Sequence, residues 1–225
     1  MSQAITTFKK YVAADVLPCP DPIVEREILS VIIDFCDKTH ILTREFNVEL
    51  DSDDIDEDYQ NAIDIPLGEW LTTSRPVTVL EFNLDGTTYI PKYRELQNTI
   101  PDDVWESLHD DNTIYFSFPS TSTIRIYDRE TTDENLYIRM SVKPTRAATT
   151  VDDCLLEDWV DTIAAGVKYK IMSMPGKEWT DPAGAAMYYV EYKRGVSRAR
   201  MKVLKAFSGT PLEVTPRLFG QVDWE

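Results

Sequence analysis

Hydrophobic residues recur at helical spacing near the start of the chain. The repeating positions, three or four residues apart, are Val24, Ile28, Val31 and Phe35. They follow Asp21, which can cap a helix, and Pro22, whose missing N–H costs nothing in the first helical turn. The pattern predicts a helix over residues 21 to 40.

The same period returns in the last third of the chain. Its first stripe comprises Leu155, Trp159, Ile163 and Val167. Pro175-Gly176 ends this stretch, and Asp181-Pro182 starts a second helix that reaches about residue 206. The apolar positions of that second helix are Ala186, Val190, Ala199, Val203 and Leu204. Because the connection is short, residues 151 to 174 and 181 to 206 are predicted to form an antiparallel hairpin with Trp159 in its core.

The middle of the chain is rich in Val, Ile, Thr, Tyr and Phe, which favour strands. The predicted strands cover residues 77–82, 87–90, 113–118, 123–127 and 136–140. Residues 83 to 86 suit a hairpin turn, and residues 101 to 108 suit one short helix. Several short strands joined by short turns indicate an antiparallel sandwich or a small barrel.

These patterns predict an α+β protein built on a helical bundle. The N-terminal helix and the C-terminal long helical hairpin, within residues 1–45 and 150–207, are expected to pack together. An antiparallel β-domain over residues 46–149 is expected to be inserted between them. Residues 208–225 are predicted to form an extended C-terminal tail.

Composition narrows the class of protein. The 225 residues include 39 acidic and 23 basic side chains, for a net charge of −16. Such a chain is a poor candidate for gripping nucleic acid, because phosphate binding depends on Lys and Arg. Three cysteines without a CxxC pair indicate reduced thiols. No signal peptide or apolar run of about 20 residues is present, so we expect a soluble protein made in the cytoplasm, without membrane contact.

Catalytic and metal-binding patterns are weak. His40 and His109 lack partners at ligand spacing, and the chain has no G-x-S-x-G motif or glycine-rich phosphate loop. In the acidic run over residues 49 to 58, alternating aspartates begin like a calcium loop, but Tyr59 replaces the required Gly and Ile65 the bidentate Glu. We interpret the run as a solvated charged loop or strand edge, with a divalent-ion contact between subunits as the alternative. No enzyme activity, cofactor or metal is predicted.

One stretch of this acidic chain is strongly basic. Six basic residues lie within thirteen positions, with no acid among them: Lys193, Arg194, Arg198, Arg200, Lys202 and Lys205. They could simply complement the negative end of the helix dipole. They could also meet an acidic partner or an acidic neighbouring subunit. A nucleic-acid site is third, because stacking aromatics are not interleaved there.

The last segment is too apolar for a simple solvated end. Its large apolar side chains are Leu212, Val214, Leu218, Phe219, Val222 and Trp224. We expect this tail to dock on a partner, with Phe219 and Trp224 as anchors because buried aromatics dominate interfaces. The alternative is that the tail folds back on its own helices. The candidate partner-binding residues are thus Arg198, Arg200, Lys202, Lys205, Leu218, Phe219 and Trp224.

Five local phrases, in this order, carry a resemblance to a known family. They are VLPCPDP at 16–22, IIDFCDKT at 32–39, WVDTIAAG at 159–166, MPGKEWTDP at 174–182 and GVSRAR at 195–200. In these phrases the chain resembles the head-to-tail adaptor (connector or head-completion) proteins of tailed bacteriophages. The β-region matches that family only in general character.

The resemblance implies a structural virion protein at the head–tail junction. Such adaptors form a homo-oligomeric ring, usually a dodecamer, under the portal protein. The ring extends the DNA channel, through which DNA passes without specific binding, and it carries tail, nozzle or fibre proteins. The family has no catalytic residues. The alternatives are a cytosolic ligand- or peptide-binding module and a tail-side virion component such as a nozzle or fibre-docking protein.

Truncation after Ser208 tests the expectation for the tail. If the tail docks on a partner, the shortened chain keeps its melting temperature but no longer attaches to portal-bearing heads. Melting curves and a head-attachment assay give both readouts. Normal attachment, or loss of folding, would contradict the expectation.

Overall fold

A curled β-sheet dominates the fold, with helices packed against it. The computed structural model describes residues 2–50, 55–56, 62–68, 71–84, 86–94, 113–127 and 134–208. The strands are β1 (Ser2–Ala4), β2 (Thr43–Leu50), β3 (Ile55–Asp56), β4 (Ala62–Pro66), β5 (Ser74–Leu84), β6 (Thr87–Tyr93), β7 (Thr113–Ser120), β8 (Thr123–Tyr127), β9 (Glu134–Pro144) and β10 (Thr150–Asp152). The helices are α1 (Asp21–Thr39), α2 (Cys154–Glu157), α3 (Val160–Met172) and α4 (Pro182–Ser208), preceded by 3-10 turns at Ile5–Tyr11 and Ala13–Asp15.

The main sheet has eight strands in the order β2-β9-β5-β6-β7-β8-β4-β3. Neighbours pair antiparallel, except that β6 and β7 run parallel, with Ile90 opposite Thr113. In β9, Ile138 and Met140 are fully buried whereas Tyr137 and Arg139 are not, as the two-residue period of a strand requires. β1 and β10 form a separate two-stranded sheet.

Helices and strands share one hydrophobic core. The same buried cluster contains Ile28 and Phe35 of α1, Ile138 of β9 and Ile163 of α3. The predicted architecture, a helical bundle with an inserted antiparallel β-domain, is therefore wrong, because the sheet is the dominant element and α1 packs directly on it.

The prediction underestimated the sheet because it overlooked strands that carry acidic residues. In β2, Phe46 is buried and Val48 partly buried, while Glu45, Asn47 and Glu49 are exposed. That alternation is a strand signal, but its end overlaps the acidic run that we interpreted as a solvated loop or strand edge. Ile63 and Ile65 of β4 follow the same run and are also buried.

The helices predicted at both ends of the chain are present, and one of them is interrupted. α1 and α4 confirm the helices predicted over residues 21 to 40 and 181 to 206. The helix predicted over residues 151 to 174 is present as two helices, α2 and α3, separated at Asp158 and Trp159. Trp159 therefore precedes α3, where it is only partly buried, and its ring centroid lies 5.6 Å from that of Phe35. The predicted helix over residues 101 to 108 and the tail beyond residue 208 lie outside the described residues.

α3 is sandwiched closely between α1 and α4 at a glycine. A Cβ added at Gly166 of α3 would lie 2.8 Å from Cδ2 of Tyr192 on α4 and 2.8 Å from Cγ1 of Val31 on α1. A Cβ at Gly195 of α4 would likewise collide with the side chain of Thr162. The two glycines thus permit a helix separation that side chains would prevent.

Substituting Gly166→Ala should therefore destabilise the fold. The new methyl group must displace a buried ring and a buried branched side chain, which costs about 1–3 kcal/mol and outweighs the better helix propensity of alanine. Urea unfolding measures the loss.

Gly68→Ala is the matched control, because no described atom lies within 4 Å of its added Cβ. We expect little change or a slight gain in stability there. Equal stabilities for the two variants would contradict the close packing at Gly166.

Candidate functional site

Only one side of α4 is covered by the rest of the described chain. Its buried residues form a single stripe comprising Ala185, Tyr192, Gly195, Val196 and Ala199. This stripe packs on α3 and α1. Because an α-helix turns once in 3.6 residues, such a stripe leaves the opposite side facing outward.

The uncovered side of α4 is both apolar and basic. Met187, Val190, Met201 and Leu204 are 60%, 48%, 44% and 52% exposed. We define the outer face of α4 as Met187, Val190, Arg194, Ser197, Arg198, Met201, Leu204 and Lys205, all exposed. Six of these positions (187, 190, 194, 197, 201 and 204) are alternately three and four residues apart, the spacing of a helix side that packs on another surface.

The outer face contains three shallow depressions of about 500 to 640 Å³. Arg198 lines all three, and Met201 and Lys205 share one of them. Depressions rimmed by cations and floored by apolar groups can receive apolar side chains from a partner that also carries carboxylates.

The predicted partner-binding cations do not all lie together. Arg198 and Lys205 lie on the outer face, one above the other along the helix. Lys202 turns to one flank, where its Nζ lies 3.1 Å from Oδ2 of Asp158 and 5.7 Å from the ring centroid of Trp159. Arg200 lies on the opposite flank, close enough to His40 to affect its pKa. Leu218, Phe219 and Trp224 lie outside the described residues.

The net charge of α4 is opposite in sign to that of the rest of the molecule. The helix contains six basic residues and one acidic residue, Glu191, for a charge of +5. Since the whole chain carries −16, the residues outside α4 carry −21. The outer face is therefore a cationic strip on a strongly anionic protein.

A half-buried carboxylate ties α4 to α1. Oδ2 of Asp34 accepts hydrogen bonds from the Tyr192 hydroxyl and from Lys38 Nζ, both at 2.7 Å. Burial alone would favour the protonated carboxyl, but these hydrogen bonds outweigh it and lower the pKa of Asp34. Burial and the adjacent carboxylate raise the pKa of Tyr192, so its hydroxyl remains a donor.

His40 occupies the junction of α1, β9 and α4. It ends α1 with a left-handed backbone (φ 55°), and its Nδ1 lies 3.0 Å from the Ser141 hydroxyl. Burial lowers the pKa of His40, and the nearby Arg200 lowers it further against the opposing effect of Asp37. The imidazole is thus held neutral between Ser141 of β9 and Arg200 of α4.

A second concave surface runs along α1. This groove, of about 840 Å³, is floored by Ile5, Leu29, Ile33 and Ala148. Its rim carries several acidic and basic residues, most of which form ion pairs, such as Lys143 with Asp37. Lys170 Nζ donates a hydrogen bond to Ser30 Oγ at 2.9 Å. The shape and apolar floor suit a peptide segment, but the rim has no dominant charge.

Within the described part of the chain, no group of three or more His, Cys, Asp or Glu side chains is placed to hold a metal ion. His109 and most of the acidic run over residues 49 to 58 fall outside that part. No described helix combines the length and the apolar character needed to cross a bilayer.

The apolar half of the outer face was misread from the sequence. Ala186, Val190 and Leu204 were expected on the packed stripe of α4, but they are exposed. The side of α4 that packs on α3 and α1 contains Tyr192 and Gly195 instead. Hydrophobicity patterns do not assign a tyrosine and a glycine to the same buried stripe. The heptad spacing of Met187, Val190, Met201 and Leu204 was the signal that could have revealed a second stripe.

No protein-family model matches this chain, and no curated protein sequence matches it significantly. The function is therefore inferred from the surfaces of the molecule.

Replacing His40 should change how stability depends on pH. The unfolded chain takes up a proton near the ordinary histidine pKa of about 6.5, while the folded chain resists it. The contribution of His40 to the free energy of unfolding is therefore fully present above about pH 6.5. It falls as the pH drops toward the lower pKa that His40 has in the folded chain. His40→Asn, which tolerates the left-handed backbone, should lose less stability than the native chain between pH 8 and 5.

Urea unfolding across this pH range compares the two chains, and the values at pH 8 give the baseline cost of the substitution. Carboxylates titrate equally in both, so they cancel in the difference. Parallel curves would show that His40 is not held neutral.

Proposed function

We propose that this protein is a structural head-to-tail adaptor of a tailed bacteriophage, which forms a ring that joins the portal to the tail and extends the DNA channel. The observation that carries the proposal is the uncovered outer face of α4. A 27-residue helix that buries one stripe and exposes apolar groups on the other side is typical of a subunit in an assembly.

The charge of the chain suits a DNA conduit. A ring of subunits that each carry −16 would repel the phosphates that pass through it, so DNA would not adhere. Six of the 23 basic residues lie on α4, where we propose that they serve a protein contact. Ring subunits in the virion and assembly in the host cytoplasm follow from the same proposal.

Three of the five phrases that carry the family resemblance lie at α3, at α4 and in the connection between them. WVDTIAAG supplies Gly166, GVSRAR supplies Gly195 and Arg198, and MPGKEWTDP forms the connection between α3 and α4. The other two phrases, VLPCPDP and IIDFCDKT, lie at the start of α1 and within it. The resemblance therefore includes the part of the fold that presents the outer face.

The α1 groove favours a second candidate, a peptide-binding module. Its volume and apolar floor are in the range of ligand sites in general. A tail-side virion component, such as a nozzle or fibre-docking protein, would use the outer face of α4 equally well. These candidates differ from an adaptor in whether the chain assembles on the portal.

Native mass measurement of the full chain, alone and mixed with portal protein, separates the candidates. An adaptor should form a closed ring, either alone or when the portal is added, because each subunit offers two different faces to its neighbours. A stable monomer that ignores the portal would favour the peptide-binding module. A ring that forms without any affinity for the portal would favour the tail-side component.

A further inference from the structure

The chemistry of the outer face of α4 indicates which partner it binds. We infer that it docks on a second copy of this chain, against a surface outside that copy's own α4, so that copies associate head to tail. This inference rests on the proposed function and names the partner of the surface described above. The portal would then bind elsewhere on the subunit.

Pairing of the outer face with itself is electrostatically disfavoured. An α4–α4 contact would bring together two helices that each carry +5, and each helix has one acidic residue, Glu191, to offset the cations of the other. Like charges that meet across an interface cost free energy. The charge of the outer face therefore favours a contact with a different, acidic surface of the next copy, which is a heterologous contact.

The rest of each copy supplies the complementary charge. The residues outside α4 carry −21 against +5 on the helix, so a neighbouring copy offers carboxylates at close range. One such surface is the exposed side of β2, β9 and β5, where the carboxylates of Glu45, Glu49 and Glu81 outnumber Arg139, which lies 3.7 Å from Glu45 and 4.0 Å from Glu81. That side points away from the core, and α4 packs on α1 and α3 rather than on these strands, as a head-to-tail contact requires.

The apolar groups on the same face argue against nucleic acid as the occupant. Four large aliphatic side chains, each 44% to 60% exposed, gain nothing from phosphates but would be buried by a protein. The cations steer and align an acidic partner, while Met187, Val190, Met201 and Leu204 provide the area that holds it.

Charge reversal on the outer face tests the inference. The variant Arg194→Glu/Arg198→Glu changes two exposed side chains for which the described residues provide no hydrogen bond or ion pair. The control Lys10→Glu/Lys177→Glu makes the same change in net charge at exposed positions outside both α4 and the strands β2, β9 and β5. Self-association of each full chain is measured by sedimentation velocity, with portal added if the native chain needs it. We expect the outer-face variant to associate at least about tenfold more weakly than the native chain, and the control to match the native chain.

A photo-cross-linker at Met201 identifies the contact. In the assembled native-charge protein it should capture a second copy at residues outside α4. Cross-links from α4 to α4 would overturn the inference, as would an outer-face variant that assembles like the native chain. Binding of a DNA duplex that the variant loses would overturn it in favour of nucleic acid.

The outcomes also separate this inference from the proposed function. An outer-face variant that still forms rings but no longer binds portal overturns the inference, because the outer face would then be the portal-binding surface. The adaptor proposal would stand in that case. A native chain that forms no ring, alone or with portal, contradicts the adaptor proposal itself.

Discussion

The close approach of α4 to α3 at Gly166 and Gly195 is the contact on which the rest of this structure depends. The Tyr192 ring rests over Gly166, and its hydroxyl reaches past α3 to Asp34 on α1. A glycine, an aromatic ring and a carboxylate therefore fix the long helix along one narrow stripe. This stripe is the only part of α4 that the described residues of the chain cover, and the other side of the helix faces away from them.

That arrangement explains how an acidic protein comes to present a cationic surface. The +5 charge of α4 would be neutralised if the helix lay deeper among the acidic elements. Among the described residues, however, α4 makes one ion pair, between Lys202 and the carboxylate of Asp158. Three of the other cations, Arg194, Arg198 and Lys205, lie beside exposed methionine, valine and leucine side chains. Held outward in this way, they favour an acidic surface over a second basic helix, as the proposed contact between copies requires.

The sequence predicted local elements well and their assembly poorly. The stripe from Val24 to Phe35 and the cap at Asp21-Pro22 suffice for α1, since both signals act within the helix. The sheet was underestimated because Glu45 and Glu49 disguise an alternating strand, and its parallel pairing of β6 with β7 is a long-range contact with no local signature. The outer face of α4 was missed because Val190 and Leu204 look like core residues until Tyr192 and Gly195 are known to occupy the packed side.

The central claim is that the outer face of α4 is uncovered in the free subunit and covered in the assembly. Oxidative footprinting of the methionines tests it directly, because Met187 and Met201 lie on that face and Met140 is fully buried in the sheet. The account predicts rapid oxidation of Met187 and Met201 in the free chain and strong protection of both in the ring, with Met140 protected throughout. Equal oxidation of Met187 and Met201 in the free and assembled states would contradict it.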